Sequence, residues 1–218
     1  MECFEDRSHA GRLLAERLIS HRNRSDVVVL ALPCGGFPVA TEISAALDAP
    51  LDVMVVQKIG APGHHDFTLG AIATDGVVAL NDDAVNLYID MPDFRSEAIR
   101  EGMEMKRRDA LYRGNSPPLM LKRRTVILVD DGAATGASMR AAVRAVRTLG
   151  AYRVVVALGV APRHIVQELR IEADEVVCAK IGAFFCSIGQ YYRRFAHVAD
   201  EEITLQLTRP RPLLRLVS

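Results

Sequence analysis

Thr125-Val-Ile-Leu-Val-Asp130-Asp131-Gly-Ala-Ala-Thr135-Gly136-Ala-Ser138 joins an apolar run, two acids, a loop of small residues and the start of a helix. Thr125 to Val129 is rich in β-branched residues and shows no polar alternation, which predicts a strand buried on both faces of a parallel sheet. Gly136 to Leu149 predicts the helix that follows. In open parallel sheets, ligands bind beyond the carboxyl ends of the strands, where this acidic pair stands.

The same rhythm extends in both directions. Upstream, Asp6 or Ser8 caps an amphipathic helix carrying Ala10, Leu13, Leu14, Leu18 and Ile19 at helical spacing. Val27 to Leu32 predicts a second buried strand, Pro38 to Leu47 a helix, and Leu51 to Ile59 a further strand. Downstream come a strand at Arg153 to Ala161, a helix at His164 to Ile171 and a strand at Glu175 to Ile181. Strand and helix alternating at this spacing predict an α/β fold with a doubly wound, mostly parallel sheet.

The stretch from Gly60 to Arg124 breaks the rhythm. It holds a Gly/His-rich loop (Gly60 to Gly70), strand-like pieces at Ala71 to Thr74 and Val77 to Leu80, and a helix at Phe94 to Tyr112. Nine basic and four acidic residues lie between Arg95 and Arg124. They are either a solvated, internally paired helix face or a contact for phosphate or RNA. The tail Arg209-Pro210-Arg211-Pro212 is expected to be an extended surface segment.

Composition narrows the function classes. The 218 residues are 50% hydrophobic and 25% charged, with 27 basic and 27 acidic side chains. That balance suits a folded chain and leaves no global positive field for nucleic acid. The amino end lacks a secretory pattern and no apolar run reaches membrane-spanning length, so a cytoplasmic location is expected. Cys3, Cys34, Cys178 and Cys186 include no close-set pair, which argues against structural zinc. Cys34, between Pro33 and Gly35, has no recognisable His partner for nucleophilic work. Gly-x-x-x-x-Gly-Lys-Ser/Thr and a Gly-x-Gly-x-x-Gly after a strand are both absent, which disfavours hydrolases of that loop type and dinucleotide enzymes.

The loop after Asp131 has its own chemistry. Gly132, Ala133, Ala134 and Gly136 lack bulk, so successive amides can close around an anion at the positive end of the next helix. Thr135 and Ser138 add hydroxyl donors. Carboxylates need donors, and vicinal sugar hydroxyls supply them. Acids beside a phosphate nest point to a ribose 5-phosphate group; the plain alternative is a solvent-facing pair on an ordinary turn. The pair is expected to be solvent-accessible, so that Asp131→Asn leaves the fold intact.

Val129 to Ser138 resembles the 5-phosphoribosyl 1-diphosphate (PRPP) signature of type I phosphoribosyltransferases. Pro33 to Ala40 is similar to that family's pyrophosphate loop, and Lys58 with Gly60 to Gly70 stands where the family keeps a mobile lid. The resemblance implies a single domain over residues 1–218, with a core at about 24–181. It further implies a flexible lid at 58–80, a helical insertion at about 83–122 and a small carboxyl-terminal hood at about 181–208.

Roles follow from the same resemblance. Asp130 and Asp131 would bind the ribose hydroxyls. Gly132, Ala133, Ala134, Thr135, Gly136, Ala137 and Ser138 would hold the 5-phosphate. Cys34, Gly35 and Gly36 would face pyrophosphate through a turn that in the family often contains a cis peptide. Lys58 would face the diphosphate. Mg2+ would be held mainly by PRPP and water, with no metal site built from side chains. The implied activity transfers the phosphoribosyl group from PRPP to a nitrogenous base and releases pyrophosphate; a homodimer is also common in the family.

Ala134 departs from the hypoxanthine-guanine pattern, which places an Asp there, and leaves the base-activating group unidentified. The acceptor would meet the hood, where Ile181, Phe184 and Phe185 are candidates; Gln190 could read its edge, or the aromatics could simply pack the hood. His64 and His65 are open to three readings: a metal site, a phosphate contact in the lid, or plain loop residues. The rival function is a PRPP-sensing regulator that binds RNA or DNA through the basic helix near Lys106-Arg107-Arg108; nucleic acid and membrane partners are not expected otherwise.

Overall fold

Strands as apolar as Val27–Ala31 and Val154–Ala161 can be buried only by covering both faces of one sheet, and the chain does this. The structure, a computed structural model, describes residues 3–61, 64–80, 92–114, 116–183 and 185–207. The sheet contains β1 (Val27–Ala31), β2 (Leu51–Val53), β6 (Thr125–Gly132), β7 (Arg153–Pro162) and β8 (Glu175–Gly182) in the order β2-β1-β6-β7-β8. Every pairing is parallel. The protein has an α/β doubly wound fold.

Alternate residues of each strand face opposite layers. Val27, Val29, Ala31, Ile127 and Val129 pack with α1 (Arg7–Arg17) and α2 (Gly36–Leu47) through Leu14, Leu18, Phe37 and Ile43. Val28, Leu30, Val126 and Leu128 pack with α4 (Ala137–Thr148) and α5 (Arg163–Glu172) through Met139, Val143, Val146, Ile165 and Leu169. Asp6 caps α1, its Oδ1 accepting from the His9 amide at 2.9 Å. Among the described residues no helix is long and apolar enough to cross a membrane.

The run Leu51 to Ile59, expected as one strand, is divided between two sheets. Met54 still donates its amide to Ala31 at 2.9 Å, but Val55 exchanges its bonds with Thr74. From there β3 (Val56–Ala61) pairs antiparallel with β4 (His64–Ala73), which pairs with β5 (Val77–Leu80). The Gly60 to Gly70 segment, expected as a loop, is therefore largely strand, with an irregular register around Gly60. Pro62 and Gly63, and the side chains of His64 and His65, lie outside the described residues.

The inserted helix is α3 (Pro92–Arg113). Arg113 is buried, with Asp52 and Asp75 at 3.3 Å and Asp109 at 3.7 Å. This knot ties the parallel-sheet edge, the second sheet and α3 together; burial pushes the Asp52 carboxyl above its ordinary range. Arg107 pairs with Glu104 at 2.8 Å and Arg100 with Glu101 at 3.0 Å, so part of the basic run is internally neutralised. The Arg209–Pro212 tail lies outside the described residues.

Candidate functional site

The strand order reverses direction between β1 and β6, because β2 lies on one side of them and β7 and β8 on the other. That reversal opens a crevice at the carboxyl ends of β1 and β6. The turn after β1 (Leu32 to Gly36) and the loop after β6 (Ala133 to Gly136) meet there. Gly35 sits so close to the Asp131 carboxylate that a Cβ at this position would overlap it. The Pro33–Cys34 peptide bond is cis.

The strand β6 runs through both acids to Gly132, farther than the apolar run alone suggests. Asp130 is half-buried and accepts the Asp131 amide at 2.8 Å. Asp131 is only 5% exposed, which corrects the expectation of a solvent-accessible pair. Its Oδ2 takes the Arg7 Nε–H at 2.7 Å, and its backbone oxygen accepts the Tyr192 hydroxyl at 2.5 Å. Burial and the neighbouring Asp131 charge push the Asp130 carboxyl well above its ordinary range. Burial also raises Asp131, against the opposing pull of Arg7.

Arg7 is itself held in place. Its Nη1 donates to Ala196 at 2.6 Å and its guanidinium lies 3.8 Å from the Phe195 ring centroid. Phe4 pairs with Tyr192 through a parallel bridge, and their rings lie 5.2 Å apart. The amino-terminal segment and residues 191–196 thus brace the acids jointly. Neither Arg7 nor Tyr192 is identified by the sequence reading, since no local pattern links them to positions 124 and 61 residues away.

In the loop, Ala133 donates its amide to Val160 at 2.9 Å and so leaves the expected anion cradle. Ala134, Thr135 and Gly136 donate their amides to no described group, and Ala134 and Thr135 are exposed. Gly136 holds a φ of +71°, a left-handed turn that glycine adopts without penalty, and it starts α4. Ala137 and Ser138 occupy the first turn of α4, half-buried. The remaining amides and the Thr135 and Ser138 hydroxyls stand at the start of α4, the end of a helix that favours an anion.

On the opposite side, Cys34 is not an activated nucleophile. Its Sγ lies 3.4 Å from Asp200 Oδ1 and 3.5 Å from the Tyr112 hydroxyl, and burial pushes the thiol up. Tyr112 donates to the same Asp200 oxygen at 2.5 Å. Asp200 opens α6 (Asp200–Leu207), so α3 and α6 both press on this turn.

A cavity of about 520 Å³ adjoins the β6–α4 loop and reaches Ala134, Arg163, Ile181 and Phe185. A family model described as the phosphoribosyl transferase domain matches residues 6–192. The chain belongs to the phosphoribosyl transferase family. Two Mycobacterium tuberculosis proteins, from strains CDC 1551 and H37Rv and provisionally named phosphoribosyl transferases, are each 42% identical over 210 residues, or 96% of this chain. The chain spans about half the length of these curated relatives, 47%. The solved structure of TT1426 from Thermus thermophilus is 42% identical with a TM-score of 0.85, covering 95% of this chain and 98% of that one.

Within this phosphoribosyl transferase fold, the expected donor-site residues converge from two turns: Cys34, Gly35 and Gly36 from one, Asp130 to Ser138 from the other. Lys58 is different. It is exposed on β3 opposite Ala71 and makes no ion pair with the acids among the described residues. Of the acceptor candidates, Ile181 is 41% exposed at the end of β8 and lines the cavity with the half-buried Phe185. Phe184 lies outside the described residues. Tyr191 is fully buried and stacks on Phe185 at 5.5 Å, so packing accounts for that tyrosine. Arg163 and His164 also line the cavity; their only sequence signal was a position just past a buried strand.

Proposed function

We propose that this chain transfers the 5-phosphoribosyl group of PRPP to a small nitrogenous acceptor and releases pyrophosphate. The observation that supports the reading is the approach of the β1 turn to Asp131, which brings Gly35 against the acidic pair. Asp130, half-buried and with no ion pair of its own among the described residues, accepts a ribose hydroxyl. Asp131, neutralised by Arg7, fixes the position of Asp130 and of the β1 turn. The amides of Ala134, Thr135 and Gly136, with the Thr135 and Ser138 hydroxyls, hold the 5-phosphate. Cys34, Gly35 and Gly36 face the leaving diphosphate.

The bond from the anomeric carbon to the diphosphate oxygen breaks, and its electron pair leaves with the pyrophosphate. The acceptor nitrogen supplies the new pair. Positive charge grows on the ribose meanwhile, and the adjacent carboxylates favour it. Among the described residues no group of three ligating side chains is gathered. The acids present suit a hard cation whose remaining ligands are PRPP oxygens and water, so Mg2+ fits this site as part of the substrate complex. Bound there, it would offset the charge of the departing diphosphate. Closure of the β3–β4 hairpin over the site would exclude water, with Lys58 carried toward the diphosphate.

Screening nucleobases and related heterocycles with PRPP and Mg2+ tests the reading. Pyrophosphate release that needs both PRPP and one acceptor supports it. A chain that binds PRPP without turnover and binds RNA with a steep salt slope supports the regulator instead. The internal pairing of Arg107 and the burial of Arg113 weigh against that second reading.

A further inference from the structure

Asp200 sets a carboxylate beside the turn assigned to the diphosphate, an arrangement that repulsion alone would disfavour. Its Oδ1 accepts two donors at once, the Tyr112 hydroxyl at 2.5 Å and the Cys34 thiol at 3.4 Å. The hydroxyl and the thiol are themselves 3.5 Å apart, so the three side chains close a triangle. Arg108 brings Nη2 to 3.8 Å from the same sulfur and offsets part of the negative charge. Burial pushes the Cys34 thiol up, so it keeps the proton that it donates, and the Tyr112 hydroxyl holds Asp200 below its ordinary range.

The triangle grips the turn through Cys34, since Gly35 and Gly36 offer no side chain to hold. The Gly36 amide is taken by the Leu32 carbonyl at 3.1 Å, and the Phe37 amide by the Cys34 carbonyl at 3.2 Å. Cys34 and Gly35 donate their amides to no described group. Those two N–H groups belong to the peptide units on either side of the Cys34 Cα, so an anchored Cys34 side chain limits the rotation of both. Donors serve an anion best when their direction is fixed before it arrives.

We infer that Asp200 is a positioning residue for the leaving diphosphate: through the Cys34 thiol, with Tyr112 bracing both, it aims the amides of Cys34 and Gly35. This rests on the proposed reading that the β1 turn receives the diphosphate. Asp200 touches no reacting atom and acts only through the direction of the turn. What the two donors need from it is an acceptor oxygen, and its charge is secondary.

Inorganic pyrophosphate with Mg2+ is the probe, titrated by calorimetry into the full chain and its variants alongside thermal melts. Asp200→Ala should lose about tenfold in pyrophosphate affinity. Asp200→Asn keeps an acceptor oxygen and should keep most of that affinity. A carboxylate that merely repelled the diphosphate would give the opposite result, tighter binding in both variants. Cys34→Ala removes the handle with Asp200 and Tyr112 in place, so it should match Asp200→Ala and decides the matter even where that variant does not fold. Cys34→Ser should recover part of the loss. Thr204→Val is the packing control: the Thr204 hydroxyl ties α6 to the Leu111 carbonyl at 3.3 Å, and its removal should leave pyrophosphate affinity unchanged. The inference is overturned by unchanged or tighter binding in Asp200→Ala or Cys34→Ala, or by Asp200→Asn as weak as Asp200→Ala. An equal loss in Thr204→Val, or no pyrophosphate binding by the wild type, overturns it too. Turnover of PRPP with an acceptor is assayed separately. Its absence from a wild type that binds pyrophosphate overturns the transfer reaction and leaves the positioning role standing; turnover in Asp200→Ala equal to the wild type overturns the positioning role alone.

Discussion

Arg7, the first residue of α1, places its Nε 2.7 Å from Oδ2 of Asp131, 124 positions along the chain. Both side chains are nearly dry, at 11% and 8% exposure. A charge pair so far from water is stable only as a pair, since either partner alone would face the desolvation cost uncompensated. The contact therefore makes the amino-terminal helix part of the acidic site.

Arg7→Met should lower the unfolding free energy by about 3 kcal/mol at pH 7, because it strands the Asp131 carboxylate. Urea denaturation of the variant measures this. The double variant with Asp131→Asn should recover part of the loss, as no stranded charge remains. A change below about 1 kcal/mol in Arg7→Met would show that the pair is not structural.

Asp130→Asn should reduce kcat/KM for PRPP more than tenfold, equal to about 1.4 kcal/mol of transition-state stabilisation, with the Arg7–Asp131 pair intact. The pH dependence has a definite sign. Burial and Asp131 raise Asp130 above 3.8, so the folded chain keeps a proton over a window where the unfolded chain has lost it. Stability from this group accordingly falls as pH climbs through that window. Donors from ribose favour the ionised form, so PRPP should bind more tightly as pH rises and should expel a proton. Calorimetry in buffers of different ionisation enthalpy reads that proton directly; identical heats would contradict it.

Gly35→Ala should lose at least tenfold in affinity for PRPP and for pyrophosphate. Its new methyl group would sit within the Asp131 carboxylate, with Cγ at 2.6 Å. Either the β1 turn or the acid must shift, at a cost of about 1–3 kcal/mol in stability. Thermal melts and pyrophosphate titration give the two readings.

Tyr112→Phe keeps the buried ring and removes the donor to Asp200 at 2.5 Å. The loss should be about 1–2 kcal/mol at neutral pH, since the acceptor is charged. The Tyr112 hydroxyl holds Asp200 below its ordinary 3.8. That contribution is present above the unfolded value and is lost as pH falls through the folded one, so the difference between variant and parent should shrink toward pH 3. Chemical denaturation at both pH values checks the convergence.

Local patterning reached far in this chain. Val27 to Leu32, Thr125 to Val129 and Arg153 to Ala161 are legible as buried strands because double-sided burial demands uninterrupted apolar residues. The loop from Gly132 to Ser138 is legible because a donor cradle demands small residues in sequence. Leu51 to Ile59 was misleading for the same reason. Its apolar character persists through Met54 and Val55, where the backbone exchanges partners and leaves the parallel sheet, and no glycine or proline marks the point. The Gly60 to Gly70 segment has turn-like composition yet gains its strand order from pairing with neighbours.

The sequence by itself determined the alternating α/β layering, the identity of the acidic pair and the small-residue loop, because each follows from residues adjacent in the chain. Tertiary structure alone decided that β1 lies beside β6, which brings Gly35 against Asp131. It also decided that Arg7 and Tyr192 brace that acid, and that Arg163 shares a cavity with Ile181 and Phe185. Those contacts join segments tens of residues apart, and their partners are selected by packing and charge compensation that no local pattern encodes.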